Sequence, residues 1–221
     1  MMRKSIAVLA VVLFVARGTA GAADHRVEAI KGAPPADHLA AEIVAELAPG
    51  GFKVMQGEKR TLCEIWLAKT WAVTAGFKPS DALLYPLEVG EFIGVLRFPR
   101  KGADFRGQDI PAGLYILRYA NQPVDGNHVG TSPTRDFLVL LPARADRSPK
   151  PVAEKDLFKL SAESAESSHP AILSLIKPEA SGALPAMRHL EEQDRWTVQF
   201  AGNGPASKVV LELVVVGKAA E

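Results

Sequence analysis

Hydrophobic and polar residues alternate in short runs along most of this chain, and glycine or proline separates the runs. Such alternation over four to eight residues predicts a β-strand with one buried face. The clearest runs are residues 60–67, 91–98, 114–119, 136–142 and 193–200. Residues 208–216 are apolar on both faces, which predicts a strand covered on both sides.

Two segments, residues 37–47 and 154–166, instead have the apolar spacing of short helices. The remaining pattern gives about eight to ten short strands joined by glycine and proline turns, with no β-α-β rhythm and no internal repeat. We therefore predict an all-β fold, a two-layer antiparallel β-sandwich with one or two short peripheral helices.

The N-terminus has the order of charges and apolar residues that is typical of a secretory signal peptide. Basic Arg3 and Lys4 precede an apolar run, and the small residues Ala20-Gly21-Ala22 provide a cleavage site. The apolar run is too short to span a bilayer. We predict a signal peptide over residues 1–22 and a single domain over residues 23–221, with no membrane span in the mature chain.

The cysteine content and the net charge limit the cellular compartment and the class of partner that we predict. The single cysteine, Cys63, excludes an intramolecular disulfide and lies in an apolar strand pattern, which favours a buried thiol. Removing Arg3, Lys4 and Arg17 leaves 23 basic against 25 acidic residues, a net charge of −2. This balance argues against a nucleic-acid partner. We predict an exported bacterial protein, periplasmic or extracellular.

One short motif carries a resemblance to known proteins. The stretch Asp109-Ile-Pro-Ala-Gly-Leu-Tyr-Ile-Leu-Arg118 resembles the strand entry of carbohydrate-binding-like and transthyretin-like β-sandwich modules. The mature chain as a whole resembles exported bacterial β-sandwich proteins of a domain-of-unknown-function family. The resemblance implies the sandwich fold and transfers no activity or catalytic residue.

A long polar loop, residues 121–135, connects two of the predicted strands. Long ordered loops on a rigid sheet often carry binding residues. This loop collects Asp125, Asn127, His128 and Arg135 among stiffening glycines and prolines. We predict these four residues as ligand-binding candidates.

Aromatic residues offer a second kind of binding surface. Trp71 and Tyr85 lie in an irregular segment, so we expect them to be exposed and available to stack on a sugar. The other aromatic residues fall within strand patterns, where core packing is the commoner use.

The basic residues Arg97, Arg100, Lys101 and Arg106 lie close together in the chain. This spacing favours solvated positions that keep sheet edges from pairing, and contact with an anionic polymer or an outer leaflet is the alternative.

Histidine and carboxylate residues provide a candidate divalent metal site. Asp125, His128, Asp136 and His189 are suitable ligand types, but none has a strong metal-binding spacing. The alternative is that Asp125 and Asn127 form a turn and that His128 has a loop hydrogen bond. We predict no cofactor and keep the metal as an alternative.

No catalytic motif emerges from these residues. We therefore predict a non-catalytic protein that binds a glycan, a small molecule or an envelope protein through loops including residues 121–135. The alternatives are a structural component of the cell envelope and a metal-dependent hydrolase or isomerase.

Overall fold

The computed structural model describes residues 25–124, 134–179 and 182–219. In these ranges the chain forms two α-helices, α1 (Ala41–Glu46) and α2 (Glu154–Ser164), and a 3-10 helix over Glu191–Gln193. No helix within these ranges is long and apolar enough to cross a membrane. The strands are β1 (His25–Ile30), β2 (Gly51–Gln56), β3 (Arg60–Leu67), β4 (Phe92–Phe98), β5 (Gly102–Ala103), β6 (Asp109–Ile110), β7 (Gly113–Asn121), β8 (Asp136–Pro142), β9 (Ile172–Ile176), β10 (Ala186–Leu190), β11 (Arg195–Asn203) and β12 (Lys208–Val216). The predicted signal peptide lies outside the described residues.

Ten strands form one antiparallel sheet in the order β1-β2-β3-β4-β7-β8-β9-β12-β11-β10, and β5 pairs only with β6. The sheet curls until β1 approaches β10, so it is nearly closed. The rings of Phe52 in β2 and Phe200 in β11 lie 5.6 Å apart, although six strands separate β2 from β11 in the sheet order. The sheet therefore wraps around its own core.

The predicted all-β class with short peripheral helices is confirmed, but the two-layer sandwich is wrong. The observed architecture is a single barrel-like sheet. A period of two shows only that one face of each strand is buried, which holds equally for sandwiches and barrels. Strand order and curvature distinguish the two, and neither is visible in the local pattern.

The concave face of the sheet forms the main core. Residues paired across antiparallel strands share a face, so the register places the same apolar side of each strand toward the centre. The fully buried residues of this face include Val54, Ile65, Leu117, Leu138 and Leu213.

Two segments cover parts of the convex face. Helix α2 packs on β8, where the rings of Phe158 and Phe137 lie 6.4 Å apart. On β9 and β12, Phe105 packs against Ile176 and Val214. These contacts, with the burial of residues 211–214, confirm that the middle of β12 is covered on both sides, as its apolar run predicted.

Candidate functional site

A cavity of about 540 Å³ lies at one end of the barrel-like sheet, which we call the basic mouth. Mouths of β-barrels are a common position for ligand sites. The walls come from the ends of β2, β4 and β12, the start of β3 and the connection after β4. The lining residues are Gln56, Arg60, Thr61, Leu62, Phe98, Arg100, Lys101, Gly102, Ala103, Asp104, Asp109, Val215, Val216 and Gly217.

The apolar part of the basic mouth is continuous with the core. Leu62 and Val215 are half-buried and pack against the core, and Phe98 is buried. The Phe98 ring contacts the ring of Tyr115 edge-on, with 6.1 Å between centroids. A Cβ on Gly102 would lie 2.5 Å from the Phe98 ring, so only glycine lets the connection approach so closely. Phe98 is thereby fixed in place.

The rim of the basic mouth has more free positive than negative charge. Arg60, Arg100 and Lys101 are exposed. The Lys101 Nζ lies 2.8 Å from a carboxylate oxygen of Asp109, and Arg60 donates to the Gln56 side-chain oxygen at 2.8 Å. Within the described ranges, no residue pairs with the Arg100 guanidinium. Its donors therefore remain available to a ligand.

The other carboxylate of the lining, Asp104, is buried and is used by the connection itself. One oxygen accepts the backbone N–H groups of Arg106 and Gln108, at 2.9 and 2.8 Å. The other accepts the Gln108 side-chain amide at 2.9 Å and the Ile172 N–H at 3.2 Å. These four bonds direct the negative charge of Asp104 away from a ligand and hold the connection rigidly.

Neighbouring bonds fix the same connection to the outside of the sheet. Phe105 donates its N–H to the Ile172 carbonyl at 2.7 Å and accepts the Ala219 N–H at 2.8 Å. The Arg195 guanidinium lies 5.1 Å from the centroid of the Phe105 ring. The positions of Arg100 and Lys101 are therefore set by a segment that is bonded at several points.

The described residues that flank the predicted 121–135 loop lie at the other end of β7. Gly113 at the start of β7 pairs with Phe98, whereas Asn121 at its end pairs with Asp136. Nine strand residues separate these ends by roughly 27 Å. Asp125, Asn127 and His128 lie outside the described residues, so their binding role stays a prediction.

Arg135 is described, and it bonds to its own loop. Its Nε donates to the Gln122 carbonyl at 2.9 Å, and its N–H donates to the Ala82 carbonyl at 3.0 Å. The side chain is half-buried. Arg135 thus joins the two ends of the connection to the segment before β4.

The expected exposure of Trp71 and Tyr85 is wrong. Trp71 is 1 % exposed, and its indole N–H donates to the Ile93 carbonyl at 3.0 Å. Tyr85 is 3 % exposed; its hydroxyl donates to the Ile176 carbonyl and accepts the Glu212 N–H. Although the segment is irregular, it packs into the core, so neither ring presents a face to a sugar.

Asp136 is a buried structural carboxylate. It accepts hydrogen bonds from the Tyr119 hydroxyl and from the Leu84 N–H, the latter at 2.9 Å. Burial raises the pKa of Asp136, although the Tyr119 bond acts in the opposite direction. Both carboxylate oxygens thus already have protein donors.

The structure does not bring Asp136 to His189. The two residues lie on β8 and β10, four strands apart in the sheet order. His189 stacks on Trp196 with 4.3 Å between ring centroids. Within the described ranges, no group of three or more His, Cys, Asp or Glu residues could hold a metal ion. A metal site thus depends on Asp125 and His128 and stays a prediction.

Several buried charged groups were not singled out from the sequence, and Glu212 and Arg118 are the most deeply buried of them. The Glu212 carboxylate is fully buried and bonds to Arg188, Thr197 and Gln199. The Arg118 guanidinium is also fully buried and forms two bonds to Asp146, at 2.6 and 2.9 Å. One sequence feature could have identified Arg118 and Glu212: each is a single charged residue within a long apolar run, in β7 and β12 respectively.

No known protein family, curated protein or solved structure compared with this chain matches it. The resemblance of residues 109–118 to sandwich modules therefore stays a prediction.

Proposed function

We propose that this chain is a non-catalytic, exported binding protein that takes a small ligand into the basic mouth. The observation that carries the proposal is the cavity of about 540 Å³ on rigid strand ends. Its size falls within the range of roughly 300–1,000 Å³ that is usual for small-molecule sites. Apolar walls with a few polar groups at fixed positions are also typical of such sites.

The chemistry of the lining favours binding over bond cleavage. The free charged groups are cations, and the buried carboxylate of Asp104 is already bonded to four donors. The Thr61 hydroxyl donates to the Met55 sulfur at 3.2 Å, so it has no basic partner that would activate it as a nucleophile. These groups can hold a ligand but do not form a nucleophile–base pair.

Filling the cavity tests this proposal. A panel of small molecules and oligosaccharides is screened by thermal shift, and each hit is measured by calorimetry. Val215→Phe adds a ring at the cavity wall and should weaken binding of a hit by at least tenfold. Ala206→Phe adds a ring at an exposed position in the turn between β11 and β12, outside the cavity lining, and should leave binding unchanged.

Two outcomes would contradict the proposal. One is that no compound binds the wild-type protein. The other is that a hit binds folded Val215→Phe as tightly as it binds the wild type, because the ligand would then lie elsewhere. Circular dichroism of both variants establishes that they remain folded.

A further inference from the structure

We infer that the basic mouth selects an amphiphilic anion: a single carboxylate or phosphate group attached to an apolar body. The inference rests on the proposed function, since it names the ligand class of the same cavity. It follows from how the charged and apolar lining residues are distributed.

The anionic group is expected at the rim. Arg100 is exposed and has no partner within the described ranges, and Arg60 bonds only to the neutral Gln56 side chain. Both guanidinium groups can therefore donate charge-assisted hydrogen bonds, which are stronger than neutral ones. Lys101 adds positive charge, but Asp109 already neutralises much of it.

The apolar body is expected below the rim. Leu62, Val215 and Val216 belong to the cavity wall and are half-buried, so part of their apolar surface is open to water. An alkyl or aryl group that covers them would remove apolar surface from water. A fully charged ligand would leave this surface unused, and a neutral one would leave Arg100 unpaired.

A glycan fits the described lining less well. Among the neutral polar side chains that line the cavity, Gln56 already accepts from Arg60 and Thr61 already donates to Met55. The aromatic residue of the wall, Phe98, is 7 % exposed and has its ring in contact with Tyr115. Little remains for the stacking and the two-way hydrogen bonding that sugars require.

The test compares four probes by calorimetry, all below their micelle concentrations: decanoate, decyl phosphate, decanol and acetate. We expect decanoate or decyl phosphate to bind, decanol to bind at least tenfold more weakly, and acetate not to bind. The relative affinities of decanoate and decyl phosphate show whether the anionic group is a carboxylate or a phosphate. Raising the salt concentration should weaken anion binding and leave decanol unaffected.

Arg100→Gln is the decisive variant. It should weaken binding of the anionic probe about five- to tenfold, since it removes a charge-assisted bond at an exposed rim. It should not change the affinity for decanol. Arg147→Gln, an equivalent change at an exposed arginine outside the cavity, is the matched control and should bind like the wild type.

The outcomes separate the inference from the proposed function. Equal affinities for decanoate and decanol, or no effect of Arg100→Gln, would overturn the inference while a Val215→Phe-sensitive ligand still supports a binding function. Failure of all four probes, with another panel compound blocked by Val215→Phe, would also overturn only the inference. If no compound binds at all, both the inference and the proposed function are contradicted.

Discussion

Single buried residues show how strongly the interior shifts their chemistry. Cys63 is 3 % exposed on β3, and burial raises the pKa of its thiol to about 12. The thiolate is the reactive form of cysteine, so this side chain acts as a small hydrophobic residue, as its strand pattern predicted. Glu91 is also buried, but it keeps a partner: its carboxylate accepts the Ala72 N–H at 2.7 Å.

Glu91 makes stability depend on pH. Burial raises the pKa of Glu91 above its ordinary value of 4.5, although the Ala72 bond and the Arg118 charge act in the opposite direction. The folded state therefore holds the proton more tightly than the unfolded state. The contribution of Glu91 to the free energy of unfolding is fully present below pH 4.5, and it is lost as pH rises through the raised pKa.

Glu91→Gln should remove this part of the dependence. The amide oxygen can still accept the Ala72 N–H, so we expect the variant to gain stability over the wild type as pH rises, and to show no such gain at pH 4. Urea unfolding between pH 4 and 8 measures the difference. Glu192→Gln, a control at an exposed glutamate that does not affect the Glu91 pKa, should parallel the wild type; a parallel curve for Glu91→Gln would contradict the prediction.

At the scale of elements, buried ion pairs join segments that are distant in sequence. Arg118 of β7 bonds to Asp146 in the connection before α2, and its Nη1 donates to the Gly90 and Lys150 carbonyls at 2.8 and 2.9 Å. Arg118 therefore holds three segments together from a fully buried position. Such a pair is costly to break because an uncompensated charge would remain inside the protein.

Asp146→Ala should destabilise the fold by about 3–5 kcal/mol, because it leaves the Arg118 charge buried without its carboxylate. The double variant Arg118→Met with Asp146→Leu should recover part of this loss, since it removes both charges. Recovery is incomplete because the Gly90 and Lys150 carbonyls lose a donor. Urea unfolding measures both; a double variant no more stable than Asp146→Ala would contradict this account.

The sequence predicted most of the strands, but it did not predict that charged residues within them would be buried. Strands β7 and β8 follow the predicted runs closely, because alternation reports burial of one face. The same runs contain Arg118 and Asp136, which are as buried as their apolar neighbours. Their partners, Asp146 and Tyr119, come into contact with them only in the folded chain. The local sequence pattern therefore could not assign a role to Arg118 or Asp136.

At the scale of the whole molecule, the barrel-like sheet closes through side chains. Within the described ranges no backbone ladder joins β1 to β10. The ring of Trp196 instead contacts two histidine rings, with centroids 4.5 Å from His25 on β1 and 4.3 Å from His189 on β10. This ring stack contributes to holding the seam between the two edge strands.

Trp196→Ala should loosen the seam without unfolding the core. We expect faster amide exchange in β1 and β10, measured by hydrogen–deuterium exchange and mass spectrometry, with β7 and β8 as protected as before. Trp196→Phe keeps an aromatic ring and should stay close to the wild type. Unchanged β1 and β10, or equal loss of protection in every strand, would contradict a role for this stack in closure.

The sequence by itself determined that this chain forms short strands with one buried face, two short helices, and a β12 covered on both sides. Those features depend on residues close in the chain. The tertiary structure alone decided that the sheet curls until it is nearly closed, that Trp71 and Tyr85 are buried, and that Leu62, Arg100 and Val215 share one cavity. These depend on strand order and curvature, which bring distant residues together and leave no local pattern.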